Sequence, residues 1–169
     1  MEVTLKSISA GGIAEALSKV ETYRYLNQPE EAESICQDIL AIEPHNQAAL
    51  RQLALSITDQ FTGSTEDRFG ESEGVFQRLA DPYERQYYAG LLRERWAKGQ
   101  LRAGRPPHTL RPAVETALRY FAEAEKIRPA GNDDAILRWN RCVRLLQGLT
   151  GPDSGPEQPG FEHGDSPPV

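Results

Sequence analysis

Three histidines, two cysteines and a few adjacent carboxylates are the residues whose types could do chemistry in this chain. His45, His108 and His163 fall in predicted turns or in the C-terminal segment, and none has a second ligand four residues on. Neither H-E-x-x-H nor C-x-x-C occurs, so no zinc ligand set is expected. Cys36 and Cys142 each lie on an apolar helical stripe, where a packed thiol is the expectation rather than a nucleophile. Glu30-Glu31 and Asp133-Asp134 stand in first helical turns, where carboxylates complement the helix dipole. Gly70 and Gly74 follow no strand and lack the Gly-Lys-Ser/Thr ending of a phosphate loop. The chain is therefore expected to carry no catalytic residue, metal or cofactor.

Charge is distributed more tellingly. The 169 residues carry a net charge of −6, which disfavours a general nucleic-acid coat. Residues 1–82 hold 6 basic and 14 acidic groups, whereas 83–112 hold 7 basic and 2 acidic. That basic block comprises Arg85, Arg93, Arg95, Lys98, Arg102, Arg105 and Arg111. It reads either as a solvated face or as an attachment site for an acidic partner. Residues 151–169 contain five prolines, four glycines, four acids and no base, the composition of a disordered tail. This tail could cover the basic block. No window approaches the ~18 apolar residues of a membrane span. The N-terminal MEVTLKSISAGG lacks the basic start and apolar run of a secretory signal, which points to a cytoplasmic location.

Helical punctuation dominates the elements that must position these groups. Ile13, Ala16, Leu17, Val20 and Tyr23 recur at three- and four-residue steps. Pro29 opens a second stripe through Ala32, Ile35, Cys36, Ile39 and Leu40, which Pro44 stops. Asn46 is placed to cap a third helix through Leu50, Leu53 and Ile57, and Asp81-Pro82 to start another through Tyr87, Leu91 and Trp96. Pro112 is expected to open a helix through Val114, Ala117, Leu118, Phe121 and Ala124, closed by Pro129. Asn132-Asp133-Asp134 caps the last, through Ile136, Trp139, Val143 and Leu146. Two stretches read as irregular insertions: 62–74, where Phe69, Phe76 and Leu79 suggest only a short or frayed helix, and the loop 99–111, where Pro106-Pro107 interrupts any helix. No alternating β-branched run occurs, so the expected fold is all-α.

Residues 29–44 and 114–129 can be laid on each other. Ala32 and Ala117, Cys36 and Phe121, Ile39 and Ala124, and Pro44 and Pro129 share one offset of 85. Small residues that permit close packing, and a proline that ends each unit, are what stacked helix pairs repeat. With its A-x3-F…P spacing, the segment Ala117, Phe121, Pro129 resembles the second helix of the tetratricopeptide repeat (TPR), whose unit is about 34 residues. Tyr23 falls where that family has its tyrosine, and Gly90 can take the small position of a later first helix. The resemblance covers residues 10–148. It implies a right-handed superhelical stack of about three helix pairs plus a closing helix, within a domain spanning 1–150.

For function, the resemblance implies a non-catalytic protein–protein interaction module, an adaptor or scaffold, docking a partner peptide or helix in a groove lined by the first helices. The implied partner-binding residues are Arg24, Tyr25, Arg51, Tyr87, Arg95, Asn140 and Arg144. Leu17, Glu21, Leu55 and Leu91 share those faces, and for Leu17 and Leu55 a packing role competes. Glu21 stands where a carboxylate-clamp asparagine of chaperone-binding members would be expected, and its charge argues against that partner. Two other readings stay open: an RNA-contacting helical repeat using 83–112, and a small hydrolase.

Overall fold

In the computed structural model, which describes residues 3–149, the chain forms seven α-helices and, among the described residues, no strand. They are α1 (Ile13–Tyr25), α2 (Pro29–Ile42), α3 (Gln47–Asp59), α4 (Phe69–Gln77), α5 (Pro82–Arg102), α6 (Pro107–Lys126) and α7 (Asp134–Leu149). The proline- and glycine-rich tail lies outside the described residues. Each helix packs on its neighbours in sequence, and the odd-numbered helices also touch in order: α1 on α3, α3 on α5, α5 on α7. Helix α2 therefore lies against α1 and α3 as α6 lies against α5 and α7.

Local signals start these helices. The Asn46 side chain accepts the Ala49 N–H at 2.9 Å, and Asp81 accepts the Tyr83 N–H at 2.8 Å. Asn132 Oδ1 accepts the Asp134 N–H at 2.9 Å and also receives the Tyr83 hydroxyl at 3.2 Å, tying the start of α7 to that of α5. Pro29, Pro82 and Pro107 occupy first turns, where a missing N–H costs nothing.

The segment 99–111 differs from expectation. Helix α5 runs on to Arg102, and α6 begins at Pro107, five residues before Pro112. Pro106 is the residue before the helix, so the Pro-Pro pair initiates α6 instead of interrupting it. Pro112 sits inside, where its absent N–H leaves one carbonyl, that of His108, without its helical donor. Segment 62–74 is likewise no loose insertion. The Asp67 carboxylate accepts the N–H groups of Thr62 and Gly63 at 2.9 and 2.8 Å, and α4 follows directly. Arg68 reaches back to Glu33 of α2 with two parallel bonds of 2.7 and 2.6 Å, while Gln60 donates to the same carboxylate at 2.7 Å. The Arg68 hydrogen bonds hold the Glu33 carboxyl below its ordinary 4.5. Gly63, at φ +85°, presses on α5 so closely that a Cβ would lie 2.5 Å from the Gly99 carbonyl oxygen.

One apolar core runs from Val20 on α1 to Cys142 on α7. Ala32, Cys36, Ala117 and Phe121 are all fully buried in this core, whereas Ile39 and Ala124, equally buried, belong to two separate clusters. Gly90 takes the small position against the Phe121 ring, where a Cβ would come within 2.8 Å of Cε1.

Gly90→Ala should therefore destabilise the fold by ~1–3 kcal/mol through overpacking. The loss should shrink in a Phe121→Leu background, as read by denaturant titration of both variants. For Glu33 the depressed folded-state pKa adds stability that is fully present above 4.5 and lost as pH falls through the lower, folded value. Glu33→Gln should flatten that acid limb of the stability curve, and a parallel curve would contradict the assignment.

Candidate partner-docking face

The groups to examine lie where the odd helices meet. Asp59 is the last residue of α3, a position where an acid opposes the helix dipole and needs cations from elsewhere. It receives them from both sides. Arg24 of α1 bonds its Oδ2 at 2.8 Å and Gln52 at 2.7 Å. Arg95 of α5 pairs with its Oδ1 and donates to Thr58 Oγ1 at 2.7 Å. All three charged side chains are about three-quarters covered, with 19–26% of their area exposed. Burial pulls the Arg95 guanidinium below its ordinary value, and the Arg24 and Arg138 charges push the same way against the pull of Asp59.

Further along, Arg51 of α3 pairs with Glu84 of α5 at 2.8 Å. Glu94, fully buried on α5, pairs with Lys98 one turn on and lies 3.5 Å from Arg138 of α7, while its Oε2 has no hydrogen-bond partner. The odd helices are thus laced to one another by charge.

Several expected contact residues prove to be ties within the protein. Arg24, Arg51 and Arg95 are committed to Asp59, Gln52, Thr58 and Glu84 and hold helices together. Tyr87 is half-buried, stacked on Tyr83 with ring centroids 5.8 Å apart and tilted against Phe121 at 5.9 Å. Leu55 and Leu91 are buried and Leu17 half-buried, all of them packing residues. Asn140 is exposed but lies two residues, about 200° of helical turn, from Arg138, and so faces away from α5. Arg144 is exposed on α7 without joining the cluster, and Tyr25, 90% exposed, stands at the end of α1.

What remains open is a cavity of about 200 Å³ lined by Thr58, Asp59, Arg95, Lys98 and Arg102, with three cations facing one carboxylate. Arg95, Lys98 and Arg102 recur at three- and four-residue steps and so share one side of α5. Arg102 has no ion-pair partner among the described residues, and Arg141 lies one turn beyond Arg138 on α7. On the α1 side, Glu21, Arg24, Tyr25, Asn27 and Asp59 line a second hollow of about 440 Å³. The rest of the basic block is largely spoken for: Arg85 caps the carbonyls of Leu79 and Ala80, Arg93 pairs with Glu73 and lies over the Tyr120 ring, and Arg111 pairs with Glu115.

Thr58, Asp59, Glu94 and Arg138 are the parts of this face that motif reading missed. Two carried a signal: Asp59 is an acid at a helix C-terminus, and Glu94 is an acid beside the buried stripe of Leu91 and Ala97. Burial pushes both cysteine thiols up to about 12, which keeps them protonated at neutral pH. Among the described residues, no group of three His, Cys, Asp or Glu could hold a metal ion, and no helix is long and apolar enough to cross a membrane. The architecture is an all-helical one with repeat-like pairs. No protein-family model, curated protein or solved structure matches the chain.

Asp59→Asn should remove about 1–2 kcal/mol of stability, between a surface ion pair and a fully buried one. The loss should narrow in molar salt, because screening weakens the wild-type attraction. An equal loss at both ionic strengths would contradict an electrostatic role.

Proposed function

We propose that the chain is a non-catalytic protein-interaction module, built as a TPR-like stack of helix pairs, that docks an acidic segment of a partner along the odd-helix face. The observation that carries this is the cavity beside α5, lined by Arg95, Lys98 and Arg102, where Asp59 and Glu94 are shared with Arg24 and Arg138 and Arg102 has no ion-pair partner among the described residues. Cations left over after the internal ties are satisfied create a local positive field on a chain of net negative charge. Such a field steers an acidic segment toward one place and repels basic ones. The neighbouring hollow at Tyr25 supplies an exposed aromatic ring next to that charge, a combination suited to recognition. The sequential contacts of α1, α3, α5 and α7 support an extended surface for such a segment.

A fluorescein-labelled poly-glutamate peptide titrated with the full chain tests this reading. Binding should weaken with salt and fall by at least ~5-fold in Arg102→Glu plus Arg141→Glu, two exposed positions whose reversal leaves the internal ties in place. Unchanged binding in that variant removes this face from consideration. Tighter, salt-steep binding of a single-stranded RNA of equal length would replace it with the RNA reading.

A further inference from the structure

The cavity on α5 differs from a generic basic patch in how its donors are used. Arg95 engages the Leu55 carbonyl, Thr58 and Asp59 through Nη1 alone. Its Nε and Nη2 meet no acceptor among the described residues, although the side chain is three-quarters covered. Lys98 is turned toward Glu94 by one contact and still lines the cavity, and Arg102 enters it unpaired. Three cationic groups on one helix side therefore line a space of about 200 Å³. Asp59 and Glu94 offset part of their charge, but those two carboxylates are shared with Arg24 and Arg138, so five cations meet two anions around it.

A carboxylate brought by a partner has one charge and two oxygens, which can satisfy two of these groups. A phosphoryl group brings close to two charges and three acceptor oxygens, one for each of Arg95, Lys98 and Arg102. We propose that this cavity is a phosphoryl site, taking a phosphorylated serine or threonine within the acidic segment of a protein partner. The inference rests on the docking reading above and specifies its central contact. It makes the interaction conditional on modification of the partner, because the unmodified hydroxyl offers neither the charge nor the acceptors. The three-quarters covered position of Arg95 matters here: a guanidinium partly shielded from water interacts more strongly with a dianion than one in free solution.

The test uses the full chain and three fluorescein-labelled pentapeptides that differ only at the centre: Glu-Glu-phosphoserine-Glu-Glu, the same with serine, and the same with glutamate. At pH 7.5 the phosphopeptide should bind about tenfold more tightly than the glutamate peptide. That advantage should shrink as pH falls below ~6, where the phosphate takes up its second proton. It should be largely lost in Arg102→Gln and in Lys98→Gln; the first has no structural partner to disturb, so a folded readout is secured. Equal affinity for the phosphoserine and glutamate peptides would overturn the phosphoryl site and leave the docking face standing. A phosphoserine advantage that survives both substitutions would place the site elsewhere and overturn the assignment. No binding of any of the three peptides would overturn both. Inorganic phosphate, titrated alone and followed by amide shifts of Asp59 and Arg102, separates recognition of the bare anion from recognition of the peptide. Shifts confined to that cavity are expected, and shifts absent there count against it.

Discussion

The carboxylate of Asp59, gripped by Arg24 from one side and Arg95 from the other, is the interaction on which the face of the odd helices depends. It stands at the unfavourable end of a helix, so its charge is stabilised only by what neighbouring helices bring to it. One side chain thereby fixes the spacing of α1, α3 and α5 at the same level. Glu94 does the same further along, drawing Arg138 of α7 toward α5. These contacts lie on the side where each odd helix meets the next, while the apolar core lies between the odd and even helices.

The core sets the pairwise packing that the charges then register. Phe121 closes on Gly90 because that position has no Cβ, which lets α5 and α6 approach along their length. Gly63 meets Gly99 in the same manner, bringing the chain between α3 and α4 onto α5. Burial of this apolar surface supplies most of the stabilisation, and it is indifferent to direction. Charge pairs contribute less and are directional, so they decide which turn of one helix faces which turn of the next. Satisfying Asp59 and Glu94 leaves Arg102, at the far end of α5, without an ion-pair partner among the described residues, and the proposed docking rests on that imbalance.

Much of the local structure was legible in the residues. The caps at Asn46 and Asp81 and the proline starts at Pro29 and Pro82 rest on short-range chemistry, and each is realised. The Pro106-Pro107 pair is ambiguous in sequence because two prolines signal a break and a start equally well; only the surroundings of Leu110, buried in the fold, decide between them. The ordering of 62–74 depends on Glu33, 35 residues away from Arg68, and no local pattern announces such a contact. The same limit governs the site. Tyr and Arg on first helices were expected to greet a partner, yet Tyr87, Arg51 and Arg95 are drawn inward by Phe121, Glu84 and Asp59. Residue type indicates a capacity for recognition, but the neighbours determine whether that capacity is already used.

The most direct measurement of this account is a double-mutant cycle on Arg24→Gln and Arg95→Gln, repeated with Asn at position 59. If one carboxylate joins three helices, the two arginine substitutions should be coupled by about 0.5–1 kcal/mol when Asp59 is present. The coupling should vanish once the charge at 59 is gone. Strict additivity in both backgrounds would show that α1 and α5 are held independently and that Asp59 does not organise the face.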